Sequence, residues 1–144
     1  MNVAAICSRR IVSAPVSASL SEVVALMHRE RVGTVIVTQG DAGGRVAGLI
    51  TDRDIVRAQL THVADFSQLS TAATMSTDPL LVDAEADMAD TLRRMRLHSV
   101  RRAPVVDADG KLVGLLSTDD LLAQIAREIA GLAAVVARQL GGKP

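Results

Sequence analysis

Apolar residues recur along this chain in two matching runs. Leu20, Val23, Val24 and Met27 stand three and four residues apart, as do Met88, Leu92 and Met95. That period lays one apolar stripe along a helix. Ser19 and Asp87 sit just ahead of the runs, each with an acidic residue three places on, Glu22 or Asp90, which is the pattern of a helix N-cap. Shorter runs rich in β-branched residues follow, Val35 to Thr38 with Val46 to Ile50, and Pro104 to Val106 with Leu112 to Leu116. Their make-up, and the Gly/Asp-rich stretches between them, predict strand pairs joined by turns. A short strand near Val16 or Val82 precedes each first helix, and a second helix is expected to begin at Asp52 and at Thr118. Each half therefore reads strand, helix, strand, strand, helix.

The two halves are copies. A shift of 68 lays VAAICS, Val3 to Ser8, over TAATMS, Thr71 to Ser76, and lays LSEVVALMHRERVGTVIV, Leu20 to Val37, over MADTLRRMRLHSVRRAPV, Met88 to Val105. Beyond a turn two residues longer in the first copy, a shift of 66 lays GLITDRDIV over GLLSTDDLL. The repeats run over 3–60 and 71–125, with a polar linker around Phe66 to Ser70 and a helical extension over 126–144. A unit this small buries its sheet poorly alone. Two such β-α-β-β-α repeats are expected to pack sheet to sheet around a pseudo-two-fold axis, as one compact α+β domain.

The second copy's last helix does not stop where the first copy's does. Ile125, Ile129, Leu132, Val136 and Leu140 continue it at steps of four, three, four and four, whereas the first copy ends near Leu60. Such a stripe needs cover. Either it packs across a homodimer interface or it folds back on its own domain.

Composition narrows the function by exclusion. Sixteen basic residues balance sixteen acidic ones, and Phe66 is the only aromatic residue. The chain thus has neither the positive field nor the stacking platforms of a nucleic-acid binder. Cys7 is the only cysteine, so no internal disulfide forms; a cytoplasmic setting and a core role for Cys7 are expected. The opening MNVAAICSRR has the wrong order of charge and apolar residues for a secretory signal, and the apolar stretch Ile129 to Ala137 is too short to span a membrane. His28, His62 and His98 are scattered, so no metal site is expected, and no nucleophile with a base beside it points to an enzyme.

The chemistry-bearing motif is a pair, GLITDRD at Gly48 to Asp54 and GLLSTDD at Gly114 to Asp120. Where strand yields to helix, Thr51 or Ser117 offers a hydroxyl beside the free N–H groups of a helix start, a seat for phosphate. Asp54 and Asp120, one turn on, can grip the paired hydroxyls of a ribose. The competing reading is that these residues only cap their helices. Arg53 either adds to the phosphate seat or is simply solvated.

With VRRAPVVDADGKLVG in register before the second motif, nearly the whole chain resembles a tandem cystathionine-β-synthase (CBS) domain pair, the Bateman module. The resemblance implies two clefts between the halves that bind AMP, ADP, ATP or a related adenosyl ligand such as NAD or S-adenosylmethionine. It implies that Asp54 and Asp120 hold ribose and that Thr51 and Ser117 are contacts. It also implies that each cleft borrows from the opposite half: Thr71, Ser76, Arg101 and Arg102 for the Asp54 cleft, and Val3, Ser8, Gly33 and Thr34 for the Asp120 cleft. With both arginines on its side, the Asp54 cleft is expected to bind more tightly or to prefer more phosphates. The alternative is that both arginines are solvated. The expected role is regulatory, a homodimer passing occupancy to a protein target; a ligand-free docking scaffold is the other reading.

Overall fold

The computed structural model describes residues 1–40, 44–61 and 66–141; His62 lies outside them. In chain order come a 3-10 turn at Val3–Ala5, β1 (Ser13–Pro15), α1 (Leu20–Glu30), β2 (Thr34–Gln39), β3 (Arg45–Thr51) and α2 (Asp52–Thr61). A 3-10 turn at Phe66–Gln68, α3 (Thr71–Thr74), β4 (Ser76–Thr77), β5 (Val82–Asp83), α4 (Met88–Leu97), β6 (Arg102–Val106), β7 (Leu112–Ser117) and α5 (Thr118–Gly141) complete it.

The helix signals in the sequence act as written. Ser19 Oγ accepts from the Glu22 N–H at 3.1 Å while the Ser19 N–H donates to Glu22 Oε2 at 2.7 Å. The Asp87 carboxylate accepts from the Ala89 and Asp90 N–H groups. α1 and α4 also stop alike, with Arg31 (φ 55°) and Ser99 (φ 53°) left-handed at equivalent positions.

β1 runs parallel to β2, which pairs antiparallel with β3; β5, β6 and β7 repeat this order in the second sheet. β1 closes one residue short of Val16, whose N–H still donates to the Thr38 carbonyl. β4, which opens the second copy, joins the first copy's sheet by pairing with Gly48 and Leu49 of β3. Ser8, from the opening of the first copy, exchanges two backbone hydrogen bonds with Leu115 of β7 at 2.9 and 3.0 Å. Each half is thus edged by the other's leading segment, and Val3 is fully buried in the second half's core.

Each sheet buries two faces. Val35, Val37 and Ile50 join α1 and α2 in one core; Ala103, Val105 and Leu116 join α4 and α5 in another. Side chains alternate across a strand, so Thr34, Ile36 and Thr38 project from the opposite face of β2. All three are buried there. Arg102, Pro104 and Val106 take the corresponding face of β6. The two free faces cover one another, and Arg45 bridges Lys111 where the sheets' hairpins meet.

α5 departs from this packing. Leu121 and Gln124 are buried, but every residue from Ala126 to Gly141 is exposed, with Ile129 at 62% and Leu140 at 80%. The fold-back onto its own domain does not occur. Gly131 lies mid-helix with nothing within 4 Å of where a Cβ would stand. Gly131→Ala is therefore expected to stabilise the extension by roughly 0.5–1 kcal/mol, seen as slower amide exchange on either side of it.

Candidate functional site

At both strand-to-helix junctions a reciprocal cap closes. Asp54 Oδ2 accepts from the Thr51 N–H at 2.9 Å and from the Thr51 hydroxyl at 3.0 Å, and the Asp54 N–H donates back to Thr51 Oγ1 at 3.2 Å. In the second copy the Asp120 and Ser117 distances are 2.8, 2.7 and 3.1 Å. A hydroxyl has one proton. With it on the carboxylate, as these distances suit, Thr51 and Ser117 present lone pairs rather than a donor to the space beside them. What each junction leaves open is Oδ1 of Asp54 or Asp120, half-buried and without a hydrogen bond among the described residues.

Two cavities of similar size bear on the site, and one of them includes a junction residue, Asp54. One, of about 260 Å³, takes in Asp54, Arg57, Ala58, Leu69, Ala73 and Thr74. The other, of about 270 Å³, is lined by Arg10, Arg31, Gly33, Thr34, Arg102 and Leu115, from both halves. Directly opposed residues of an antiparallel ladder share a face. Thr34 opposes Thr51, and Arg102 opposes Ser117, so the second cavity lies between the sheet faces that carry the two capped hydroxyls. The Asp52 N–H donates to the Gly33 carbonyl and the Thr118 N–H to that of Arg101, which pins each helix start to the neighbouring strand start.

Three arginines line this second cavity. Arg10 donates to the Glu30 carbonyl at 2.9 Å and lies 3.8 Å from that residue's carboxylate, while Arg31 and Arg102 make no ion pair among the described residues. Thr34 is only 7% exposed, and its hydroxyl has no hydrogen-bond partner among the described residues. Leaving such a group unpaired costs about 1–3 kcal/mol, which a ligand oxygen would recover.

The structure places the site residues implied by the resemblance as follows. Arg102 was assigned to one cleft and Gly33 with Thr34 to the other, yet all three line one cavity. The starts of β2 and β6 both line this cavity, with Arg10 and Arg31, while Arg57 stands with Asp54 in the other. Thr71 and Val3 are fully buried, so neither presents a surface to a ligand. Ser76 is an exposed part of β4, and the Ser8 hydroxyl accepts from the Arg10 N–H at 3.3 Å. Arg53 and Arg101 are exposed and line neither cavity. Sequence reasoning missed Arg10, Arg31 and Arg57. Arg31 overlies Ser99 in the repeat, so the motif comparison did not single it out.

Cys7 packs against Gly114, 2.6 Å from where a Cβ on that glycine would stand. Burial pushes its thiol pKa up, with Arg9 drawing it down and Asp120 adding to the rise. A raised pKa disfavours the reactive thiolate at neutral pH. Among the described residues no helix is long and apolar enough to cross a membrane.

The architecture has close counterparts. The chain is 31% identical over 116 residues to the CBS domain-containing protein YhcV of Bacillus subtilis, covering 80% of this chain and 79% of that one. It spans 61% of the uncharacterized protein MK0525 of Methanopyrus kandleri, at 22% identity. Its fold matches that of the CBS domain protein PAE2072 from Pyrobaculum aerophilum, solved in complex with AMP, with TM-score 0.75, 27% identity and coverage of 88% and 99%. It also matches the CBS domain of a bacterial CNNM/CorC family Mg2+ transporter, solved with ATP, with TM-score 0.76, 23% identity and coverage of 88% and 87%. Residues 3–61 and 66–127 each match the CBS domain, and with the duplicated junctions and interleaved sheets in place the chain belongs to the CBS domain family.

Proposed function

We propose that this chain is a regulatory module that binds an adenine nucleotide between its halves and reports occupancy through a change in their relative angle. The observation that carries this reading is the cavity lined from both halves, which holds Arg10, Arg31 and Arg102 together with Thr34, whose hydroxyl has no hydrogen-bond partner among the described residues. The uncommitted Oδ1 atoms of Asp54 and Asp120 are the acceptors for ribose. A free guanidinium binds phosphate bidentately, so affinity rises with phosphate count from AMP through ADP to ATP, and NAD fits through its pyrophosphate. S-adenosylmethionine, which carries a positive sulfonium, is the poorest match among adenosyl ligands. The reading assigns no catalytic step. The setting is cytoplasmic, where such nucleotides are abundant, and the readout is a protein target biased by one of two arrangements of the halves.

Thermal-shift titration tests it. A ligand that binds only the folded form stabilises it by about 2.7 kcal/mol at a hundred times its dissociation constant. ATP is expected to raise the melting temperature most, AMP less and S-adenosylmethionine least. A flat response to all of them favours a ligand-free scaffold, the second reading, for which the exposed apolar face of α5 speaks.

A further inference from the structure

Granted the nucleotide-binding reading, on which this rests, we infer that Glu30 sets the ligand preference of the cavity that holds Arg10, Arg31 and Arg102. It retains Arg10 at the end of α1, and a phosphate must take that guanidinium from it. Arg10 lies in the segment between Ser8, which is hydrogen-bonded to β7 of the second half, and β1 of the first. Its Nη2 donates to the Glu30 carbonyl at 2.9 Å and stands 3.8 Å from Glu30 Oε2, while Glu30 Oε1 accepts from Arg29 Nε at 3.2 Å. Glu30 is the last residue of α1, so its carbonyl is among those the helix leaves unpaired, and Arg10 closes that end from outside. The next residue, the left-handed Arg31, lines the same cavity as Arg10.

Two observations point to a role for this carboxylate beyond α1 itself. The first is its place. A negative charge in the last turn opposes the helix dipole, so helix stability does not call for Glu here, and Arg10 and Arg29 offset it. The second is the repeat. The shift of 68 lays Arg10 over Asp78, Glu30 over His98 and Arg31 over Ser99. The second copy ends the equivalent helix with these charges reversed or lost, so the fold demands neither the clamp nor the arginines around it. Where the clamp exists, it stands beside Arg31, Arg102 and the unpaired Thr34 hydroxyl. A single phosphate can be satisfied by Arg31 and Arg102, which make no ion pair among the described residues, whereas a longer phosphate chain draws on Arg10 as well. Glu30 therefore holds back the polyphosphate more than the monophosphate. It narrows the gap between ATP and AMP that three free guanidiniums would open.

Calorimetric titration of ATP and of AMP into the wild type, Glu30→Gln, Arg10→Gln and the double variant tests this. The Arg10 and Glu30 side chains are 71% and 36% exposed, so their contact has the strength of a surface ion pair. Glu30→Gln is expected to tighten ATP binding about 3- to 5-fold and AMP binding less than about 2-fold. In the Arg10→Gln background the same change should have no effect, because the competitor has lost what it held. A merely structural role would instead lower the melting temperature of the unliganded protein, which is expected to stay level or rise slightly as the charge opposing the dipole is removed. A Glu30→Gln protein that binds ATP no more tightly than the wild type, or gains equally with and without Arg10, would overturn the inference and leave the nucleotide reading standing. A wild type that takes up neither nucleotide would overturn both.

Discussion

Gly48→Ala is expected to destabilise the module by about 2–3 kcal/mol, among the largest single-site losses available outside its cores. A Cβ at Gly48 would stand 2.5 Å from the Ser76 carbonyl oxygen and 2.9 Å from Met75 Sδ. The thioether can swing away, but the carbonyl belongs to β4, which is hydrogen-bonded to β3 at this point. Relief therefore requires the interleaved strand to lift off. Gly114 is the equivalent residue, with Cys7 Sγ at 2.6 Å and the Ser8 carbonyl at 3.1 Å. There the tight contact is a side chain, so Gly114→Ala should cost less, about 1 kcal/mol, and Cys7→Ala should recover part of the loss. Denaturant melts of the two single variants and the Gly114→Ala/Cys7→Ala pair give both comparisons. A Gly48→Ala protein as stable as the wild type would show that β4 does not lock the halves together. The first residue of each GLITDRD-type motif is thus explained by backbone approach between halves, with no reference to a ligand.

Arg102→Ala is expected to weaken ATP binding about 10- to 100-fold and AMP binding by less. Losing one guanidinium from a cluster of three matters more to the anion with more phosphates, and each charge-assisted hydrogen bond contributes about 1.5–3 kcal/mol. Thr34→Val separates this site from a merely structural one. Replacing an unpaired buried hydroxyl with a methyl of similar shape should leave the unliganded protein equally or more stable, by up to about 1 kcal/mol, while binding falls. Opposite signs in stability and affinity are what a ligand-facing hydroxyl produces. Titration calorimetry beside melting curves reads both, and a Thr34→Val protein that binds ATP as the wild type does would remove Thr34 from the site. Asp54 and Asp120 call for asparagine in place of alanine, since Asn keeps an acceptor for the cap while removing charge. Alanine at either place would also forfeit about 1 kcal/mol of helix capping and confuse stability with binding.

The same distinction between local and distant contacts separates what was legible in the chain from what was not. Every helix start follows from neighbours a few residues apart: Ser19 with Glu22, Asp87 with Ala89 and Asp90, Thr51 with Asp54, Ser117 with Asp120. The motif residues offered two readings, cap or ligand contact, and the local one is visible in the hydrogen bonds because a three-residue separation is enough to form it. The resemblance to a CBS pair was likewise carried by spacing that a linear comparison preserves.

The composition of the clefts was less accessible, because it depends on which faces meet. A strand shows its alternation in sequence, but Thr34 and Arg102 share a cavity only through the packing of one sheet against the other. Arg10 and Arg31 join them from a connecting segment and a helix end that no repeat overlay brings together.

By itself the sequence determined the duplicated units, the order of their elements and the capped junctions, since apolar period and side-chain-to-backbone hydrogen bonds act over a few residues. Only the tertiary structure decided which strands the leading segments join, that Arg10, Arg31 and Arg102 line one cavity, and that α5 leaves the domain uncovered. Those outcomes depend on contacts between residues far apart in the chain, where the burial of one face selects its partner from the other half.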